Sequence, residues 1–253
     1  MEYGLLGEKL GHSYSKIIHE KLANYEYNLI ELSKDELDTF LKERNFKGVN
    51  VTIPYKTTVI PYLDELDDSA RKIGAVNTIV NKAGKLKGYN TDYYGFIYTL
   101  DHHKVKVKDE KIIVIGNGGA AKAIIAALEA LQAREIIVVG RTLRDRTISY
   151  EECYKNHTNG KVIVNCTPVG MYPNIDESPL NLENFSSCTH VVDLIYNPGE
   201  TKLLKEAREK GIIGVNGLDM LIAQAKVAAE YFLDTKIDNS KIQTIKEELM
   251  HHF

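Results

Sequence analysis

The segment KIIVIGNGGAAKAIIAALEAL, Lys111–Leu131, decides how this 253-residue chain is read. It opens with a short apolar run, rich in β-branched residues and without alternation. Such a run marks a parallel strand buried on both faces. Gly116-x-Gly118-x-x-Ala121 follows at once, and an alanine-rich helical stretch follows the glycines. The first glycine permits a tight turn, the second lets a pyrophosphate approach the backbone, and the small third residue lets helix and strand pack closely. The helix N-terminus then offers free N–H groups and a positive dipole end to phosphate. Without its context the glycine pattern is weak, and a turn that only aids packing is the plain alternative. Between a strand and a helix it predicts a dinucleotide site built from Gly116, Asn117, Gly118, Gly119, Ala120 and Ala121.

The next strand, EIIVVG, ends without the acidic residue that would bind a ribose 2′-hydroxyl. Arg141, Thr142 and Arg144 cluster there instead, with Arg146 as a further contact. Guanidinium groups pair bidentately with phosphate, which favours the 2′-phosphate of NADP(H) over NAD. A solvated basic turn is the alternative. Further strands at KVIVNC and HVVDLIY continue the alternation of a doubly wound sheet. The stretch TLRDRTISYEECYKNHTNGK, Thr142–Lys161, is short for a helix with its connections and predicts a mobile loop in its place. From Gly214 onward the pattern is helical to the end.

The first hundred residues also alternate strand and helix. YGLLG, YNLIEL and GVNVTI read as strands, Ser15–Ala23 as a helix, and Ser33 with Glu36 as a capping box opening another. Two strands flank a turn at Lys82–Lys85, and YYGFIYTL is helical. The polar joint DHHKVKVKDEK suggests a domain boundary. The expected fold is α/β with two domains and a cleft between them. Residues 1–101 form an α/β substrate-binding domain, with helices 226–253 packing back on it, and residues 102–225 form a Rossmann-like dinucleotide domain.

Composition narrows the function classes. A formal charge of -3 gives no basic footprint for nucleic acid. No apolar run approaches the roughly 18 residues of a membrane span. The N-terminal stretch lacks a basic region and an apolar core, so no signal peptide is expected and the protein is placed in the cytoplasm. The 3 cysteines are widely spaced and odd in number, which offers neither a disulfide framework nor a metal spacing. They are read as reduced, and no metal is expected.

One stretch of the first half stands apart. In GVNVTIPYK, Gly48–Lys56, a buried strand is cut by Pro54 and delivers Thr52 and Lys56 to one place. With it, GEKLGHSYS, AVNT, GYNTD, GNGGAAKA, GRT, NCTPVGM, DLIYNP and NGLDMLIAQA stand in an order that resembles the shikimate dehydrogenase family. These motifs run from residue 7 to residue 225, nearly the whole chain.

The resemblance implies NADPH-linked, reversible reduction of 3-dehydroshikimate to shikimate, a step towards aromatic amino acids. It implies Ser13, Ser15 and Tyr196 around the substrate carboxylate, and Thr52, Asn77 and Gln224 on its hydroxyls. Lys56 and Asp92 resemble the catalytic pair, with the lysine as proton donor and acceptor and the aspartate orienting it. Met171, Leu194 and Gly217, with Met220, resemble the nicotinamide side of the cofactor site, and Thr167 is a further cofactor-binding residue. On the residues alone, blander readings stay open. Ser13 or Ser15 could simply cap a helix, Asn77 could close a bulge, Gln224 could be an exposed helical residue, Lys56 could be solvated and Asp92 could be an N-cap. His12 reads as a loop residue, and His102, His103, His251 and His252 as surface. Lys16 stands where the family has proline, placing positive charge near the serines, Gly140 where it has asparagine, and Asn216 where it has aspartate. The competing readings are a quinate/shikimate dehydrogenase with relaxed substrate and NAD use, and a non-catalytic shikimate-binding sensor. A monomer or homodimer, with small-molecule ligands alone, is expected.

Overall fold

The computed structural model describes residues 2–11, 13–143 and 146–250. Along the chain the elements are β1 (Tyr3–Gly7), α1 (Ser15–Leu22), β2 (Tyr27–Glu31), α2 (Lys34–Glu43), β3 (Gly48–Val51), β4 (Glu65–Leu66), α3 (Asp68–Ile73), β5 (Thr78–Lys82), β6 (Lys85–Tyr89) and α4 (Thr91–His102). They continue as β7 (Lys111–Ile115), α5 (Gly119–Ala130), β8 (Glu135–Val139), β9 (Thr147–Ile148), α6 (Tyr150–Asn156), β10 (Val162–Asn165), β11 (His190–Asp193), α7 (Lys202–Glu209), β12 (Ile213–Val215), α8 (Leu218–Leu233) and α9 (Ser240–Leu249). Two compact units result, Met1–Gly95 with Leu221–Ile245, and Phe96–Met220 with Lys246–Phe253.

The first unit holds a six-stranded sheet in the order β2-β1-β3-β5-β6-β4. It is mixed, because β5 runs antiparallel to β3 and β6 while the other pairs are parallel. The β5–β6 hairpin explains the reversal. Ala83 and Gly84 both have positive φ, the backbone that a two-residue hairpin turn demands. The capping box forms as expected, with Ser33 N–H donating to Glu36 at 2.8 Å and Glu36 N–H to Ser33 Oγ at 3.4 Å. Leu37 and Leu41 of that helix are buried with Leu6, Val49, Val51 and Ile79.

The second unit holds a six-stranded, all-parallel sheet in the order β12-β11-β10-β7-β8-β9. β7 lies near the centre, and the order reverses between it and β10. Ligands of open α/β sheets bind outside the carboxyl ends of the strands at such a switch point. Ile112, Ile113, Val114 and Ile115 are all 0% exposed, which is why this run carries no alternation.

Two expectations fail in this unit. The chain from Gly214 onward is not helical throughout, because Ile213–Val215 pairs with β11 as the parallel edge strand β12. The stretch after Arg146 is a short strand and a helix, β9 and α6, and not a loop. Ser149 makes this possible by accepting from Glu152 N–H at 3.1 Å, so a two-turn helix fits between the strands. All three cysteines are free thiols, and burial pushes Cys188 up to about 11, so it behaves as a small core residue. No helix among the described residues is long and apolar enough to cross a membrane.

His19 is a buried histidine on α1 of the first unit. It is 0% exposed, stacks on Tyr27 at 4.0 Å and bonds Tyr25 Oη through Nδ1 at 2.5 Å. Burial lowers its pKa from 6.5 to about 3, so the folded chain keeps it neutral. In acid the unfolded chain binds a proton here that the folded chain refuses, and stability falls as pH drops below 6.5. The His19→Phe variant should therefore lose stability less steeply than the parent between about pH 6.5 and 5, by up to about 1.4 kcal/mol per pH unit. Denaturant melts at three pH values measure this, and parallel slopes for the two proteins would contradict it.

Candidate active site

The strand β3 ends at Val51, and the chain turns at once. Thr52 N–H still donates to Leu6 O of β1 at 2.9 Å, and Tyr55 N–H closes the turn on Thr52 O at 2.9 Å. Tyr55 anchors the turn, because its ring is 2% exposed in the core and its hydroxyl donates to Leu32 O at 2.7 Å. The next residue is thereby aimed. Lys56 O accepts from Val76 N–H at 2.7 Å, tying the turn to the segment that carries Asn77.

Asp92 sits inside the first turn of α4 and not just ahead of it. Its carboxylate lies at the positive end of the helix dipole. Lys56 Nζ is 2.6 Å from Asp92 Oδ2, and the two side chains are 16% and 11% exposed. The other carboxylate oxygen accepts from Asn77 Nδ2 at 2.9 Å. Asn77 Oδ1 in turn accepts from Thr91 N–H at 2.7 Å. Thr91 Oγ1 donates to Gln224 Oε1 at 3.2 Å, and Gln224 Nε2 donates to Leu221 O at 3.0 Å. Lys56, Asp92, Asn77 and Gln224 are thus brought into one hydrogen-bonded group with Thr91. Neither the solvated lysine nor the N-cap aspartate describes them. Asn77 is 3% exposed, and its partners are side chains and the Thr91 amide, not a bulge.

The serine loop is built separately. Glu31 accepts from Leu10 N–H at 2.6 Å, and Leu10 O accepts from Ser13 N–H at 3.0 Å. Ser13 Oγ accepts from Ser15 N–H at 3.2 Å in a turn ahead of the helix, whose N-cap is Tyr14 with no side-chain cap, so neither serine is the N-cap and the Ser13 O–H is left to donate. Ser15 is the first residue of α1 and is buried. Lys16 turns away from any ligand there: its ammonium donates to Glu20 at 2.6 Å and to Tyr27 O at 2.8 Å. His12 lies outside the described residues.

In the second unit the expected cofactor residues all follow the carboxyl ends of parallel strands. Gly116 and Asn117 follow β7, Arg141 and Thr142 follow β8, Thr167 and Met171 follow β10, Leu194 follows β11, and Gly217 follows β12; Tyr196, expected at the substrate carboxylate, also follows β11 in this unit. The register aligns Ile115 with Asn165 and Val139, and Asn165 with Asp193. Gly116 has φ +99, and a Cβ there would meet Thr167 Cγ2 at 3.0 Å. Gly118 is the N-cap of α5 with no side-chain cap, and a Cβ there would meet nothing within 4 Å. Open space before an uncapped helix start fits a pyrophosphate. Gly119 and Ala120 form the first turn, and Ala121 is 0% exposed where helix meets sheet. Arg141 and Thr142 are exposed at the strand end, which fits a 2′-phosphate. Arg146 pairs with Glu129 at 3.2 Å. Arg144 lies outside the described residues.

Asp193 organises this edge. It accepts from Asn165 Nδ2 at 2.9 Å, Ile195 N–H at 3.1 Å and Thr201 Oγ1 at 2.7 Å. Asn165 Oδ1 then accepts from Thr167 N–H and Oγ1 at 3.0 and 2.7 Å. Burial still raises the Asp193 pKa, to about 6. His103 is not the surface residue expected: its Nε2 is 2.7 Å from Asp219 Oδ2, and Lys246 Nζ is 2.7 Å from the same oxygen. His102, His103 and Asp219 lie close enough to hold a metal ion, but the Lys246 ammonium already stands in the cation's place.

Three comparisons bear on this arrangement. Residues 5–79 match the model of the shikimate dehydrogenase substrate binding domain. A curated relative, shikimate dehydrogenase (NADP(+)) of Clostridium beijerinckii, is 40% identical over 95% of each chain. The crystal structure of a chorismate mutase/shikimate 5-dehydrogenase fusion protein from Clostridium acetobutylicum superposes with a TM-score of 0.92 at 42% identity, covering 99% of this chain and 97% of that one. That of the Thermus thermophilus shikimate 5-dehydrogenase in complex with NADP(H) and shikimate does so with a TM-score of 0.87 at 30% identity, over 98% and 99%.

The chain belongs to the shikimate dehydrogenase family.

Its departures from the family pattern have local explanations. In this dehydrogenase Asn216 forms a turn into α8, accepting from Leu218 N–H at 3.2 Å while its amide donates to Gly199 O at 2.9 Å. A Cβ at Gly140 would meet Thr147 Cγ2 at 3.0 Å. Sequence reasoning missed Asn50, Thr78 and Thr91, which bond around Asn77. The signal for Asn50 was available, since a polar amide in the middle of a buried strand needs partners.

Gly217 has a steric role beside any cofactor contact. A Cβ there would lie 2.0 Å from Leu194 O, while Gly217 N–H donates to Ile195 O at 2.9 Å. Gly217→Ala should therefore lower stability by about 1–3 kcal/mol, a loss of several degrees in Tm. Calorimetry on the two proteins measures it, and an unchanged Tm would show that the β11 loop moves aside freely.

Proposed function

We propose that the chain catalyses the reversible, NADPH-dependent reduction of 3-dehydroshikimate to shikimate. The observation that carries this reading is the Lys56–Asp92 pair, 2.6 Å apart and largely buried, with Asn77 on the second carboxylate oxygen. The first unit is read as the substrate domain and the second as the cofactor domain. A cytoplasmic setting belongs to the same reading, in keeping with a charged, freely dissolved substrate and cofactor.

Bound NADPH supplies the reducing equivalents for the ketone carbon. This chain's residues bind the ring and manage its proton. Ser13 and Ser15 donate hydroxyl protons to the carboxylate, with Tyr196 as a further contact. Thr52, Asn77 and Gln224 engage the ring hydroxyls, since amide and hydroxyl groups both donate and accept. Lys56 Nζ stabilises negative charge on the C3 oxygen and delivers its proton there. In the reverse direction the neutral amine takes that proton back. Asp92 fixes the direction of the amine. In the second unit Arg141, Thr142 and Arg144 are assigned to the 2′-phosphate, Gly116–Ala121 to the pyrophosphate, and Met171, Leu194 and Gly217 to the nicotinamide side, with Thr167 as a further cofactor contact.

Two measurements test this. Initial rates with shikimate and quinate, each with NADP+ and NAD+, should be highest for shikimate with NADP+. Preference for quinate, or no turnover of any pair, would overturn the reading. Lys56→Ala should lower kcat by about 10² to 10⁴ with KM little changed, the pattern of a lost transition-state interaction. Near-normal turnover in that variant would remove Lys56 from the chemistry.

A further inference from the structure

The proposed chemistry leaves a row of buried polar side chains without a task. Tyr27, Asn50 and Thr78 are 0%, 5% and 0% exposed, on β2, β3 and β5. Asn50 and Thr78 face each other directly in the antiparallel β3–β5 pair. Their bonds connect to Asn77 and so to Asp92, and groups that can play only one role settle every direction except that of the Thr78 hydroxyl, which distance decides.

The Thr91 backbone N–H can only donate. It lies 2.7 Å from Asn77 Oδ1, which fixes the oxygen end of that amide. The NH₂ end therefore faces Asp92 Oδ1, at 2.9 Å. The backbone carbonyl of Asn77 can only accept, and Asn50 Nδ2 is 3.2 Å away. That orients Asn50, whose second N–H donates to Thr78 Oγ1 at 2.9 Å. The Thr78 hydroxyl, already an acceptor, has one proton and two neighbours for it, Asn77 Oδ1 at 3.1 Å and Thr91 Oγ1 at 3.3 Å, and the shorter contact directs it to Asn77. Asn50 Oδ1 is left to accept from the Tyr27 hydroxyl at 2.7 Å. Burial holds the Tyr27 phenol well above its usual pKa, so it stays a donor at every working pH. All four bonds point the same way.

We propose that Tyr27, Asn50 and Thr78 are positioning residues: a one-way donor chain, Tyr27 to Asn50 to Thr78 to Asn77, that locks the Asn77 amide against Asp92 and so holds the carboxylate in line with Lys56. The proposal rests on the dehydrogenase reading and deepens it. Aligned donors polarise one another, and this row ends on a negative charge, where polarisation is most favourable. A flipped Asn77 would set its carbonyl oxygen against the carboxylate. The row makes that flip costly, because each reversed amide would leave a buried donor or acceptor unpaired. Its far end is Tyr27, stacked on His19 in the core.

Shikimate oxidation with NADP+ by the full chain tests this. Thr78→Val keeps the side-chain shape and removes the hydroxyl. It should lower kcat about tenfold with KM changed less than about twofold, because a misdirected catalytic pair costs rate more than binding. Thr78→Ser, which restores the hydroxyl, should recover most of that loss. In an Asp92→Asn background Thr78→Val should change the residual kcat by less than about twofold, because the carboxylate it serves is gone. An unchanged kcat in Thr78→Val, or the same fractional loss with and without the Asp92 carboxylate, would overturn the proposal. If Thr78→Val does not fold, Tyr27→Phe decides the matter: a loss of about threefold in kcat, absent in the Asp92→Asn background, supports the chain, and additive losses defeat it. A parent protein that turns over no shikimate would instead defeat the dehydrogenase reading and this inference with it. An active parent with indifferent variants defeats the inference alone.

Discussion

The ion pair between Lys56 and Asp92 is the constraint on which the first unit turns. Two charged groups that are largely removed from water are stable only when geometry and further hydrogen bonds compensate their lost hydration. Here the compensation comes from three directions. The α4 N-terminus lies behind the carboxylate, the lysine covers one oxygen, and Asn77 covers the other. Each partner arrives on a different element, so the sheet order and the turn after β3 must both be right for the pair to form.

The second unit obeys a different logic. Its strand ends are shaped chiefly by glycine backbone, with the exposed Arg141 beyond β8 and the buried Asp193 on β11 as the charged side chains there. Small residues at Gly116, Gly118 and Gly217 keep space clear or permit close approach, and Asp193 with Asn165 holds the loops beyond the strand ends. A burial-raised Asp193 is the cost of that organisation, kept tolerable by three donors. A directed ion pair in one unit and open backbone at the strand ends of the other are the two arrangements on which the proposed dehydrogenase reading rests.

Much of this was legible in the sequence because its signals are local. The strand–glycine–helix segment, the Ser33 capping box and the Lys82–Lys85 hairpin each rest on contacts a few residues apart, and all three form as read. The proximity of Lys56 to Asp92 was accessible only through family resemblance, since 36 residues separate them. The donor chain was hidden for the same reason, because Tyr27, Asn50, Thr78 and Asn77 meet through strand order and register. Helix α6 escaped because two turns leave little periodicity to detect, and its Ser149 cap was the one local sign. His103 looked like a surface residue because Asp219 and Lys246 lie far along the chain.

The most direct test of the central claim is a crystal structure of the chain with shikimate bound. Lys56 Nζ and an Asp92 carboxylate oxygen should both lie within hydrogen-bond distance of the ring's C3 and C4 hydroxyls, with Asn77 still donating to Asp92. Shikimate bound away from the pair, or a Lys56 side chain turned from the ring while the ligand is fully occupied, would contradict the account.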